Sequence, residues 1–164
     1  METQKVHNML ARFETAMLTT QGRDLKQHAR PTAVAKIEAN CDVWLFTARG
    51  AEKIHEIELD QKVLLLFQKG HNFYVSLSGR AELISDHVQI AALWKESGKI
   101  WFPNGLKDPN PIFIRVTSEK AEYWDASDFN GIKHFFATAK ARITGNPLQN
   151  GDSAHHGRLM LKAA

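Results

Sequence analysis

Arg30, Arg49 and Lys53 are cations set among small, hydroxyl and turn residues, and a phosphate group is the chemistry that such a set would serve. Arg30 opens the run Arg30-Pro31-Thr32-Ala33-Val34, Arg49 lies in Thr47-Ala48-Arg49-Gly50, and Lys53 follows in the first turn of an amphipathic stretch. Guanidinium groups, an ammonium, a hydroxyl and the free amides of a helix start can each donate a charge-assisted hydrogen bond to one dianion. Solvated surface cations would look the same one at a time. What matters is whether the fold brings them together.

Other chemistries have weaker support. Eight histidines are dispersed along the 164 residues, none with another at the four-residue spacing of a helical metal pair, and His155-His156 lies in a polar tail; no metal is expected. There is no Gly-x-Ser-x-Gly elbow, P-loop or dinucleotide fingerprint. Asp125 and Asp128 read as a solvated turn. The one cysteine, Cys41, can form no intramolecular disulfide and has no basic sequence neighbour to activate it, which suits a reducing, cytoplasmic setting. No long apolar run suggests a membrane anchor or signal segment. Net charge is +3, with 21 basic residues scattered among 18 acidic ones. That is a mildly basic surface without a nucleic-acid footprint, although it would favour an anionic small molecule.

The elements that must position these residues can be read from hydrophobic spacing. Val6, Met9, Leu10 and Phe13 predict a short amphipathic helix. Residues 16–20 and 25–37 predict a hairpin across a turn at 21–24, and Pro31 makes its second strand irregular or an edge, because proline cannot donate to a ladder. A buried strand over 42–48 ends at Arg49-Gly50, and 52–59 is a short helix with Ile54 and Ile57 on one side. Residues 63–67 and 73–84 form a second hairpin, and Ser85-Asp86 caps a helix that runs up to Trp94. An ordered loop over 98–111 carries Trp101 and Phe102. Residues 112–116 and 121–124 give two strands or one bent strand, and 129–143 reads as a helix. Antiparallel hairpins with few long crossovers favour a barrel over a doubly wound sheet. The 43% apolar content fits a single domain over 1–164, with a loosely ordered tail from about 145.

Several pieces, taken in order, resemble a known family. Ala16-Met17-Leu18-Thr19-Thr20, Arg30-Pro31, Leu45-Phe46-Thr47, Lys53 with Glu56-Ile57, the run 74–82, Trp101-Phe102-Pro103-Asn104-Gly105 and Ala121-Glu122-Tyr123-Trp124-Asp125 are similar to the general-stress-protein branch of the pyridoxamine 5′-phosphate oxidase-like, FMN-binding split-barrel superfamily. The resemblance covers nearly the whole chain. It implies a mainly β fold with flanking helices, a six-stranded antiparallel split β-barrel, and a homodimer holding FMN in clefts between subunits. It also implies roles. Arg30 and Lys53 would bind the phosphate, and Thr47, Ala48 and Arg49 would close that end. Pro31, Thr32, Ala33 and Val34 would run along the isoalloxazine. Trp124 would reach the flavin of the neighbouring subunit, with Trp94, Trp101 and Phe102 as further wall residues.

Two departures matter. Relatives often carry a serine where this chain has Ala51, and Glu52 adds a negative charge beside Lys53; both weaken a phosphate site. Beyond Trp124 the Arg-x-His pair of the true oxidase is replaced by Asp125-Ala126-Ser127-Asp128, so vitamin B6 oxidation is not the expected activity. The leading expectation is a flavin-dependent oxidoreductase acting on an unknown small molecule, with no catalytic side chain assigned because the cofactor carries the redox chemistry. A non-enzymatic stress protein that holds FMN or a similar phosphate ligand is the alternative. A barrel binding single-stranded nucleic acid on an aromatic face is a third reading, and steep salt dependence would mark it.

Overall fold

The computed structural model describes residues 2–71, 73–125 and 155–161. Its strands are β1 (Thr15–Gln21), β2 (Gln27–Ile37), β3 (Val43–Ala48), β4 (Lys62–Lys69), β5 (Phe73–Ile84), β6 (Pro111–Asp125) and β7 (His155–Met160). The helices are α1 (Glu2–Leu10), α2 (Glu52–Leu59) and α3 (His87–Leu93), with two short 3-10 turns at Glu96–Ile100 and Gly105–Lys107. The sheet runs β3-β2-β1-β4-β5-β6, and β3 pairs again with β6, which closes a six-stranded antiparallel barrel. Closure satisfies the backbone groups that an open sheet would leave at its edges.

Alternation decides which side chains fill the barrel. Ala16, Leu18 and Thr20 of β1, Val63, Leu65 and Phe67 of β4, and Val75, Leu77 and Ala81 of β5 are buried, whereas Met17 and Leu66 between them are exposed. Each buried side chain of leucine size contributes roughly 1.5–3 kcal/mol. Helix α1 seals one end with Val6, Met9 and Leu10, and Phe13 stacks on Phe73 at 5.8 Å. Helix α2 buries Ile54 and Ile57 in the same core. A second, smaller cluster lies outside the barrel, where Ile90 of α3 covers Trp44 and Phe113. Asp86 caps α3 by accepting from the Gln89 amide at 2.9 Å.

The barrel opens where β2 and β3 part. β2 pairs with β1 from Gln27 to Ala33, but its ladder with β3 begins only at Ala33 opposite Phe46. On that side Pro31 is therefore at an edge, which accommodates its missing N–H. Thr47 and Ala48 of β3 pair with β6 alone. The two strands diverge, and α2 follows β3 directly into the gap.

The segments 112–116 and 121–124 belong to one continuous strand, β6. Its first half pairs with β3 and its second half with β7. The tail expected to be loose from about 145 instead contains β7, whose Leu159 packs against the barrel core. The helix expected over 129–143 lies outside the described residues.

Candidate functional site

The divergence of β2 from β3 forms a cavity of about 300 Å³. Pro31, Thr32 and Ala33 of β2 and Phe46, Thr47 and Ala48 of β3 line it together with Lys53, Trp101 and Phe102. Its one ionisable lining group is Lys53, whose Nζ donates to Thr32 Oγ1 at 3.2 Å. Burial, and after it the neighbouring Arg30 charge, lowers the pKa of this ammonium. A half-buried cation left with spare N–H donors suits an anionic ligand group. The first turn of α2 adds uncapped amides, because Ala51 at the N-cap offers no side-chain acceptor.

A second cavity of about 160 Å³ adjoins the first and shares Ala33, Phe46 and Trp101 with it. Val34, Leu93, Trp94 and Phe113 are among its apolar walls, and Lys95 and Ser97 also line it. Phe46 anchors the aromatic set, edge-on to Trp94 at 5.6 Å and to Phe102 at 5.2 Å. Trp94 lies so close to Gly98 that a Cβ there would come within 3.0 Å of the indole. Trp101 differs from the others: it lines both cavities yet is 72% exposed. The pair of cavities thus joins a cationic end to a flat aromatic slot.

Arg30 is held differently from the role that the resemblance implies. Opposite Leu18 on β2, it shares the inward face with Thr32, so Arg30 and Lys53 meet on one side of the strand. The guanidinium, however, lines neither cavity and forms a two-point contact with Glu56 of α2, at 2.6 and 2.9 Å. Thr20 and His28 also bond Glu56, at 2.6 and 2.5 Å, and Glu52 reaches Arg30 at 3.3 Å. Glu56 is 4% exposed, and the Arg30 contact above all holds its carboxyl at about 2. Arg49 is exposed and lines neither cavity. Trp124 lies away from both, stacked on His156 of β7 at 5.2 Å.

Of the residues singled out in the sequence, Pro31, Thr32, Ala33, Val34, Thr47, Ala48, Lys53, Trp94 and Trp101 come together here. Arg30, Arg49 and Trp124 do not line the cavities of the single chain. Phe46 and Glu56 were read only as parts of a motif. Phe46 alternates out of phase with buried Leu45, and Glu56 lies one turn from Glu52 on a helix with a buried face; both signals were present.

A sequence model of the family described as Pyridoxamine 5′-phosphate oxidase like matches residues 1–149. No curated protein matches the chain significantly. Among solved structures, a Clostridium acetobutylicum protein related to general stress protein 26 of B. subtilis aligns with TM-score 0.69 and 19% identity, covering 76% of this chain and 88% of that one. General Stress Protein 26 from Bacillus anthracis gives 0.66 and 24%, over 74% and 92%. A general stress FMN/FAD binding protein from Xanthomonas citri gives 0.64 and 29%, over 76% and 89%.

Proposed function

The chain belongs to the pyridoxamine 5′-phosphate oxidase like family, and from that premise we propose that it is an FMN-binding, general-stress-type oxidoreductase with a small-molecule substrate other than a B6 vitamer. The observation that carries this reading is the junction of a Lys53-bearing cavity with an apolar aromatic slot where β2 and β3 part. A flavin phosphate has the same polarity along its length: an anionic end and a planar, mostly apolar end.

The donor set fits the group. Lys53 would hold the phosphate with help from Thr47 and the first amides of α2, while Pro31, Thr32, Ala33 and Val34 present backbone along the ring. Phe46, Trp94 and Trp101 would exclude water from one face. FMN, when bound, supplies two-electron chemistry at its ring. The chain's part is to bind, orient and shield, since Lys53 is the one ionisable group in the larger cavity.

We also propose a cytoplasmic homodimer. Met17 is opposite both Pro31 and Leu66 in the sheet register, and Met17 and Leu66 are 38% and 43% exposed, which makes an apolar row beside the cavity mouth. A second copy would cover this row and bring Trp124 of one subunit toward the cleft of the other. No described helix is long and apolar enough to cross a membrane.

The test is the absorption spectrum of freshly purified protein, followed by FMN titration and assay of NADH- or NADPH-driven acceptor reduction. A yellow protein that turns over supports the proposal. A yellow protein that never reduces an acceptor makes it a flavin-holding stress protein, and one that takes up no flavin ends the reading.

A further inference from the structure

The smaller cavity carries a charge of its own. Among the described residues that line it, Lys95 is the one ionisable group, and Ser97 adds a hydroxyl to walls that are otherwise apolar or aromatic. Lys95 precedes the 3-10 turn Glu96–Ile100, and its carbonyl accepts from the Gly98 amide at 2.8 Å, beside the Trp94 indole. That fixes the backbone. The carboxylate next in sequence is already engaged, because Glu96 pairs with Lys99 at 2.6 Å. Among the described residues, no hydrogen bond or ion pair engages the Lys95 ammonium or the Ser97 hydroxyl. Their donors are spare. The joined cavities therefore have two cationic poles, Lys53 at the larger and Lys95 at the smaller, and no acidic residue among their described lining.

Oxidised FMN complements only one of these poles, since its ring is neutral. A ring that has gained two electrons and one proton is negative at its pyrimidine edge and complements both. We infer that Lys95 sets the electron affinity of the bound flavin: with Ser97 it faces the pyrimidine edge and favours the reduced, anionic form. This rests on the flavin reading of the same site. In the balance, a hydride donor such as a reduced nicotinamide gives two electrons and one proton to N5 and is itself oxidised. N1 stays unprotonated, and the Lys95 ammonium supplies the counter-charge that a second proton would otherwise bring. A fixed cation beside a slot of aromatic walls stabilises the anion more than the neutral ring. β2, β3 and β6 present only apolar side chains to this cavity, and Lys99 and Glu96 of the same turn are paired with each other, so Lys95 acts there alone.

The test is an equilibrium redox titration of bound FMN against a reference dye, beside the dissociation constant of oxidised FMN, for the wild type, Lys95→Met and Lys95→Arg. Lys95 is exposed and bonds to nothing through its side chain, so both variants should fold. Lys95→Met should bind oxidised FMN within about three-fold of the wild type, because the oxidised ring has no charge to lose a contact with. Its preference for the reduced form should fall at least about ten-fold, which lowers the midpoint potential by about 30 mV for a two-electron couple. Lys95→Arg keeps the charge and should recover most of the difference. The pH at which the potential changes from about 60 to about 30 mV per unit marks loss of the second proton, and it should lie about one unit higher in Lys95→Met than in the wild type. An unchanged potential in Lys95→Met, or equal losses of oxidised and reduced affinity, overturns the inference and leaves the flavin reading standing. A wild type that takes up no flavin ends both.

Discussion

Lys53 reaches from the first turn of α2 to Thr32 on β2, with 3.2 Å between Nζ and Oγ1, across the gap where β2 leaves β3. One hydrogen bond therefore connects the two walls of the larger cavity. It also ties the position of the cation to the strand that would carry the ring.

Replacing Lys53 with Met should reduce FMN affinity by ten- to a hundred-fold while leaving riboflavin affinity nearly unchanged. The lost contact is charge-assisted, whereas the hydrogen bond to Thr32 contributes only about 1 kcal/mol to stability. Fluorescence titration with both flavins, beside a thermal melt, checks this. Equal losses for the two ligands would remove Lys53 from the phosphate end.

Gly98 sets the position of Trp94. A methyl group at this residue would come within 3.0 Å of the indole, so Gly98→Ala must displace the ring, which rests edge-on against Phe46, by a few tenths of an ångström. The expected cost is about 1–3 kcal/mol, the usual penalty of overpacking, together with a shift in tryptophan emission and weaker flavin uptake. An unchanged emission spectrum would mean that the slot is more compliant than its contacts suggest.

Acid should weaken the fold over a defined window. Arg30 chiefly holds Glu56 at about 2, and Arg158 chiefly, then His156, holds Glu122 at about 2, both below the usual 4.5. A depressed folded value means that the stabilisation is complete above the unfolded pKa and is lost as pH falls from 4.5 through 2. Denaturant midpoints should therefore be flat above pH 5 and decline below it, and Glu122→Gln should decline less steeply. A midpoint that rises on acidification contradicts the assignment.

Charging the apolar row should separate subunits. Met17→Lys with Leu66→Glu alters two exposed side chains that pack into no core, so the melt should change little. Sedimentation velocity should show the wild type as a dimer and the variant as a monomer, with reduced flavin affinity. A monomeric wild type would dismiss the two-fold arrangement.

Cys41 should resist thiol reagents in the folded protein. It is completely buried, and burial, with Asp42 adding to it, pushes the thiol up to about 11. Labelling with a disulfide reagent should be slow in buffer and complete in denaturant. Rapid native labelling would require an opening of the α1 end of the barrel.

Much of this was legible along the chain. Ile54 and Ile57 at helical spacing after Gly50 marked α2 with its observed bounds, and Pro31 marked the point where β2 lacks a β3 partner. Lys53 was legible as a residue of the candidate site because the helix begins where β3 ends. The capture of Arg30 was not: Glu56 is 26 positions away, and only the crossing of α2 over the inward face of β2 brings them together. β6 reads as two pieces because Thr117, Ser118, Glu119 and Lys120 are polar. Its continuity depends on the bulge at Ser78–Gly79, where a Cβ on Gly79 would lie 2.2 Å from the Thr117 carbonyl oxygen. β7 was hidden in His155-His156-Gly157, which has no apolar alternation of its own. It is held by what β6 offers: the Trp124 ring and the Glu122 carboxylate that bonds Arg158 at 3.0 Å.

During translation, β3 can zip onto the first half of β6 as soon as that half emerges, but residues 120–125, paired with β5 on one side, must wait for β7 on the other. The 30 positions from 125 to 155 take roughly 2–6 s to synthesise. For that interval β7 lends this edge no partner. The β7 seam is thus sewn on only after all six strands of the barrel have been made.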